Sequence, residues 1–587
     1  MSANKTRRHR YENLRVQLEQ EVTSFHTHWR ELGDYILPRR TRFSTSDTNR
    51  GEKRNQKIID STATLAQRTL RSGMMSGLTS PARPWFKLTL ADFNDEQSPA
   101  SKAWLDEVTK RMTTIFLKSN LYNVLPIIYG DLGTFATGAI YMEEDFDEVV
   151  RFTSFPLGQY TIGTNFKGVV DKFHRTFRMT VSQIVLKFGQ DGNPDNPVDW
   201  SNISDYIKNL YDNNTGEAWI DVRHAIMPNP DYNPKKLESK YKKYVSAYYE
   251  SGTTGSSVSG TNYLASFGGG LDFGKYLSEK GYDYFPVLVP RWEVAGEDSY
   301  GTSCPGMVAL GDIKQLQTGE KRSAQAVEKM VNPPMLAPTS MRNQKASILP
   351  GDITYLDERD GQKGFRSAHD INFRVDLLEQ KQEQVRQRIR RAFYEDLFLM
   401  FALSDRREVT ATEVNEKQEE KLLALGPVLE QLNQDLLDPL IDNTFIIMGL
   451  QNLIPPPPEE LQGRPLKVEY ISIMAQAQKL TGLGTIERFA GFARSVLEVD
   501  PGVIAKIDTD KLIDRFGDRV GIDPGIVRSD DDANEIRAEQ RKQQQEAAAA
   551  EQAQQTAAAA KDLSSAQVGE DNALERLVNA GNAGQIV

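Results

Sequence analysis

The hydrophobic pattern is most telling between Arg291 and Pro334, which reads RWEVAGEDSYGTSCPGMVALGDIKQLQTGEKRSAQAVEKMVNPP. A short apolar segment enters a Gly-rich turn, and Pro305 stands where a helix begins. Proline suits a first helical turn because its missing N–H has no intrahelical partner to lose. No breaker stronger than Gly311 or Gly319 follows until Asn332-Pro333-Pro334 stops the helix. Roughly 27 residues at about 1.5 Å each predict a rod of about 40 Å. Its apolar positions lie at the two ends: Val308, Ile313 and Leu316, then Val327, Met330 and Val331. The middle, Gln317 to Ser323, is polar on every side, so the pattern describes a strut with a wetted waist.

A second helix is predicted over Asp376–Ala402, which contains neither Gly nor Pro. Leu378, Val385, Ile389, Phe393, Leu397 and Met400 recur at helical steps and form one stripe. Between the struts, residues 332–375 form an excursion with prolines near its ends and a short strand at 351–356. Upstream, helices are predicted over 1–37, 57–78 and 99–119, with 124–137 continuing the last in part. The first begins with a basic tip of Lys5, Arg7, Arg8 and Arg10.

From Gly138 the hydrophobic period shortens from 3.6 to 2, predicting strands at 139–143, 149–154, 159–163, 169–178 and 219–227. Short helices at 181–188 and 203–211 interrupt them, and 240–250 and 284–294 complete the region. Ser251–Gly274 is rich in Gly and Ser and reads as a surface loop. The turn Ser404–Glu408 precedes a long helix over 410–449, broken at Gly426-Pro427 and kinked at Pro439. Pro455–Pro458 is a stiff spacer before a helical region at 471–480, 485–497 and 508–519. Asp530–Lys561 is rich in Ala, Gln and Glu and predicts a helix that projects or self-associates, followed by a loose tail. The fold class is α+β, mainly α.

With 587 residues the chain is long enough for three or four domains. Its charge of -10 and pI near 5.4 lack the basic balance of a protein built to grip DNA. A mean hydropathy of -0.52, with no apolar run near the ~20 residues of a membrane span, predicts a soluble chain with no membrane partner. The single cysteine, Cys304, excludes an intrachain disulfide.

Candidate chemistry is sparse. Gly269–Lys275 matches a phosphate-binding loop up to its lysine, but Tyr276 stands where a Ser or Thr must ligate Mg²⁺. His26 and His28 fall on different helix faces, and His174 and His224 sit in strand-like segments without a ligand cluster. Asp508, Asp510 and Asp530–Asp532 precede helices and read as caps. The sequence thus predicts no catalytic residue, no metal and no cofactor, and no enzyme. Arg406 and Arg407, beside Asp405 and Glu408, read as a solvated or intersubunit salt-bridge turn.

The segment GTSCPGMVALGDIKQL…EKR…NPP resembles the portal, or head-to-tail connector, family of short-tailed double-stranded DNA phages. So does Asn49–Phe86, NRGEKRNQKIIDSTATLAQRTLRSGMMSGLTSPARPWF; with the struts, the resemblance spans roughly residues 10–530. It implies a wing over 1–300, stem helices at 301–331 and 376–402, and a clip at 332–375. It further implies a channel loop and kinked wing helix at 403–454, a proline spacer and helical crown at 455–563, and a tail at 564–587.

The implied function is a homo-oligomeric ring of twelve subunits at one capsid vertex, assembled in the host cytoplasm. The ring docks the terminase large subunit, retains duplex DNA without sequence specificity, and passes it during ejection. Other implied partners are major capsid and scaffolding proteins, tail adaptors, and internal core or ejection proteins. The resemblance places Arg406 and Arg407 at the channel loop, where they contact DNA, with a subunit salt bridge as the competing reading. Glu383, Gln387 and Arg390, opposite the apolar stripe, face either the lumen or a neighbouring subunit. The alternatives are a ring-forming DNA-translocating ATPase, which needs an intact phosphate loop, and an intracellular helical scaffold.

Overall fold

The structure is a computed structural model that describes residues 3–43, 54–90, 99–145, 147–251, 276–336, 342, 366–367, 375–403, 425–461, 466–471 and 530–565. The chain divides into two compact units, Met1–Gln478 and Lys479–Val587. The first unit opens with α1 (Ala3–Tyr35) and α2 (Thr62–Leu78), followed by β1 (Phe86–Leu90), α3 (Pro99–Lys118) and α4 (Leu121–Phe135). Ala136 then adopts a left-handed conformation (φ 63°) that ends α4 and turns the chain into strand.

The mixed region contains β2 (Ile140–Asp145), β3 (Val149–Ser154), β4 (Tyr160–Thr164) and β5 (Val170–Thr180). A single helical turn, α5 (Val181–Ile184), runs into a wider π turn at Val185–Gly189, and α6 (Asp205–Asp212) precedes β6 (Trp219–Pro228). The first turn of α5 is capped reciprocally: Gln183 N–H donates to Thr180 Oγ1, and Thr180 N–H donates to Gln183 Oε1. β7 (Tyr244–Glu250), β8 (Ser278–Tyr282) and β9 (Val287–Leu288) complete two antiparallel sheets, ordered β4-β5-β6-β7-β8 and β3-β2-β9.

Then follow α7 (Pro305–Val331), the short pair β10 (Met335–Leu336) and β11 (Arg366–Ser367), α8 (Val375–Ala392) and α9 (Glu395–Leu403). A helical run at 425–432 passes through a π turn at Asn433–Leu437 into α10 (Asp438–Leu450), and β12 (Leu466–Tyr470) closes the described part of this unit. The second unit is described by one exposed helix, α11 (Asp530–Ser565). The fold is mixed α+β with helix predominating, as the period analysis predicts.

The main core gathers Trp29 and Leu32 of α1, Leu70 of α2, Phe116 of α3 and Ile128 of α4, all fully buried. Trp29, Phe25 and Tyr300 pack as a triangle of rings, with centroids 5.1, 5.2 and 5.3 Å apart. Burying rings of this size supplies much of the drive that fixes α1 to the body.

Four elements differ from the sequence reading. The second strut is two helices: Tyr394, at φ 54°, is left-handed and separates α8 from α9 although no Gly or Pro is present. Phe393 and Leu397 are buried on either side of the break, so the apolar stripe survives it. At Pro439 the chain widens into the preceding π turn and continues helical, so the proline shifts hydrogen-bond register without ending the rod. After the four prolines the chain returns to the body as β12, paired antiparallel with β1 from Phe86↔Tyr470 to Leu90↔Leu466. Trp104 Nε1–H donates to the Pro455 carbonyl at 3.0 Å, fixing the spacer to α3. In place of one strand over 284–294, the structure has the short β9 at Val287–Leu288 followed by isolated bridges at Arg291 and Glu293, with β8 lying upstream at Ser278–Tyr282.

Candidate functional site: a helix pair clamped to the body

α7 begins as its sequence predicts, with Pro305 in the first turn behind Cys304, and ends at Val331 before Asn332. Its body-side half is anchored by Ile313 and Leu316, both essentially inaccessible. α8 packs along α7 through Val385 and Ile389. Gly319 of α7 faces the buried Gln382 of α8, and a Cβ there would lie 3.4 Å from Gln382 Nε2, in ordinary van der Waals contact.

The polar waist is a clamp. Gln317 is only 5% exposed, and its Oε1 accepts from the Ile59 and Asp60 N–H groups at 2.6 and 2.8 Å. Its Nε2 donates to the Asp60 carbonyl at 2.8 Å. One amide thus satisfies three backbone groups of the segment preceding α2, which explains a buried polar residue at this position.

Beside it, the Arg386 guanidinium of α8 reaches Asp60 at 2.9 Å and Glu320 at 2.6 Å, joining α8, α7 and the body. Burial pushes the Asp60 carboxyl up, but bonds from Thr62 and Arg386 outweigh it and hold the group below its ordinary value. Further along, Arg388 grips Asp312 with two bonds of 2.7 and 3.1 Å, and Lys314 pairs with Glu31 of α1 at 2.6 Å.

Past the clamp the pair exposes large apolar side chains, although Ala326 of α7 and Gln382 of α8 stay buried. Val327, Met330 and Val331 of α7 are 44, 49 and 72% exposed, and Leu377 and Leu378 of α8 are 53 and 41% exposed. Met335 and Leu336 continue the same apolar run.

The structure places the predicted residues unevenly. Glu383 pairs with Arg386 at 3.3 Å and with Arg390 at 3.7 Å on its own helix. Arg390 also reaches Glu395 at 3.6 Å, while Gln387 is exposed. Arg406 and Arg407 lie outside the described residues, as do Gly269–Lys275. Tyr276 is a buried core residue, edge-on to Tyr11 at 6.0 Å. His174 and His224 are buried on neighbouring strands; burial pushes His174 down to about 3 and His224 well below its usual value. Among the described residues no group of three His, Cys, Asp or Glu is arranged to hold a metal, and no helix is long and apolar enough to cross a membrane.

The clamp joins Asp60, within the segment Asn49–Phe86, to Gln317 and Glu320, within the segment beginning at Gly301, so the two stretches that carry the resemblance bond to each other. Residues 8–267 and 269–527 match the sequence profile of the bacteriophage head to tail connecting protein family. The chain belongs to that family. It is 45% identical over 571 residues to the portal protein of Salmonella phage epsilon15, covering 97% of this chain and 98% of the relative. It is 40% identical over 564 residues to the probable portal protein of Bordetella phage BPP-1, covering 96% of each. The sequence resemblance to phage portal proteins is therefore correct.

Sequence reasoning missed Gln317 and Arg386 as the residues on which the portal-family helix pair is mounted. The available signal was one of two glutamines flanking Leu316 and an arginine flanking the α8 stripe, neither of which names its partner.

Proposed function

We propose that this chain is the portal subunit of a short-tailed phage, closing with copies of itself into a ring of twelve around a channel for duplex DNA. In this reading the ring occupies one capsid vertex, docks the terminase large subunit, holds the packaged genome, and then joins tail adaptors for ejection. Capsid, scaffolding and internal core or ejection proteins are its other neighbours in the virion, and host cytoplasm is the place of assembly. The role is structural: the family is described as connecting head to tail, and ATP hydrolysis belongs to the motor.

The observation that carries the reading is the half-buried helix pair. Its inner half is clamped to the body, and its outer half exposes a run from Val327 to Leu336 with Leu377 and Leu378 opposite. Clustered apolar surface of this kind calls for a protein partner, and a head-to-tail repeat of one chain covers it on every copy and closes as a ring. The assignment of 1–300 as wing, 301–331 and 376–402 as stem, 332–375 as clip, 403–454 as channel loop and wing helix, and 455–563 as crown belongs to the same proposal. Glu383, Gln387 and Arg390 then lie on the lumen or subunit face of the stem, and Arg406 and Arg407 form a weakly positive collar at the constriction.

Native mass measurement of the purified protein tests the ring. A closed oligomer supports it, and a 66.1 kDa monomer that forms no ring even with capsid protein refutes it. Arg406→Ala with Arg407→Ala should leave the ring intact and alter genome retention or ejection. If that variant loses the ring and charge swaps with Asp405 or Glu408 restore it, the pair is a subunit salt bridge.

A further inference from the structure

The loop joining β6 to β7, residues 229–243, carries Lys235, Lys236, Lys240, Lys242 and Lys243 against only Asp231 and Glu238, in a chain whose net charge is -10. The fold adds to this cluster. Arg10, from the basic tip of α1, lines the same small cleft as Lys240, with Asn229, Asp231 and Glu279 also on its walls. Lys280 stands on β8 opposite Ser246 of β7. Two basic segments more than two hundred residues apart in sequence thus meet at one place on the body.

The loop's backbone is fixed while its ammonium groups are not used up. Asn229 Nδ2 donates to the carbonyls of Lys240 and Lys242 at 2.9 and 2.8 Å, and Gly281 N–H donates to Ser239 Oγ at 2.7 Å. Lys242 is engaged by Asp283 at 2.5 Å. Among the described residues no carboxylate lies within ion-pair distance of Lys235, Lys236, Lys240, Lys243 or Lys280, and all five are exposed. Lys236 sits 4.0 Å from the Tyr241 ring centre, and Lys243 lies 5.4 Å from that of Tyr244, so tyrosine faces steady the cations without neutralising them.

We propose that this loop, with Arg10 and Lys280, is a sequence-independent contact surface for duplex DNA on the body of the subunit, separate from the channel arginines. Lysine favours phosphate here: it is a point charge on a flexible stem and needs no fixed register. An acidic protein face is met best by the planar arginine fork, and Arg10 is the one arginine on the cleft wall. The inference goes beyond the channel reading and does not use Arg406 or Arg407.

The test is fluorescence anisotropy of a short random-sequence duplex with the full-length assembled protein, titrated over a range of salt. Each phosphate neutralised contributes about 0.9 to the slope of log affinity against log salt. Replacing Lys235, Lys236, Lys240 and Lys243 by Ala should flatten that slope by up to about 3.6 and weaken low-salt binding by at least about tenfold. The fourfold Arg variant should keep both, which guards against a simple loss of folding. Leu237, 90% exposed at the loop tip, gives the control: Leu237→Ala should not change DNA binding. An unchanged slope in the Ala variant, or loss of binding in the Arg variant, overturns the proposal. So does equal weakening by Leu237→Ala, which would instead indicate a protein partner. Because Arg406 and Arg407 remain in place throughout, a failure of the channel reading leaves this result unaffected.

Discussion

Replacing Gln317 with Ala should detach the helix pair from the segment before α2. The side chain makes three hydrogen bonds, two accepted from the Ile59 and Asp60 N–H groups and one donated to the Asp60 carbonyl. At about 1 kcal/mol net for each bond, the loss is about 3 kcal/mol, reduced where water can enter the partly buried site. Gln317→Glu separates the contributions, because a carboxylate still accepts from both N–H groups but no longer donates to Asp60 and adds charge beside its carboxylate. Amide hydrogen exchange reads the effect directly. The Ile59 and Asp60 amides should exchange about 10- to 100-fold faster in the Ala variant, equivalent to about 1.4–2.8 kcal/mol of lost local protection. In the Glu variant they should remain largely protected. If both amides keep wild-type protection in Gln317→Ala, the clamp is not what holds this segment and the reasoning fails.

A Cβ at Gly73 of α2 would fall 2.2 Å from the Phe398 ring, so Gly73→Ala should cost about 1–3 kcal/mol by overpacking. Phe398→Leu should recover part of that in a double-mutant denaturation cycle, and strict additivity would refute the contact. His174 and His224 are held neutral by burial, so the unfolded chain takes up protons that the folded chain excludes. Stability is therefore greatest above about pH 6.5 and falls by about 1.4 kcal/mol per pH unit per histidine below it. Denaturation midpoints at pH 7 and 5 should show this, with His174→Gln removing one share. Asp60 behaves oppositely to a buried carboxyl left unpaired, since its lowered value stabilises the fold above the ordinary carboxylate range and that stabilisation fades as pH falls through it. Arg386→Gln should accordingly lower stability at pH 7, with the deficit shrinking below about pH 4.

What was legible in the chain was local. Pro305 and Asn332-Pro333-Pro334 mark the ends of α7 because first-turn proline and helix-stopping proline act within a few residues. The alternating segments gave β3 outright, and β5 and β6 to within two residues at their ends. What was hidden depended on distant partners. β1 and β12 lie almost four hundred residues apart, and neither five-residue segment has turn signals that announce a pair. The left-handed Tyr394 follows from packing on both sides: its ring lies 6.4 Å from Trp292, and Phe398 seats on Gly73, which together override a strong helical pattern. The waist of α7 looked wetted because polarity predicts exposure, yet Gln317 is buried by a backbone segment that no local pattern names. Of the candidate residues, sequence located Glu383, Gln387 and Arg390 on α8 but not the pairing of Glu383 with Arg390, and it passed over Arg386 between them.

Mechanically, the clamp turns α7 into a beam built in at one end. From Gln317 to Val331 the overhang is 14 residues, or about 21 Å at 1.5 Å per residue. A sideways force at the free end produces its greatest bending moment at the root, where Gln317 and Arg386 meet Asp60. Stretching there is resisted by three hydrogen bonds and an ion pair, all softer than the helix itself. The Ile59 and Asp60 amides are thus the strain gauge of the helix pair: load applied far away registers first as slackening of two particular N–H groups.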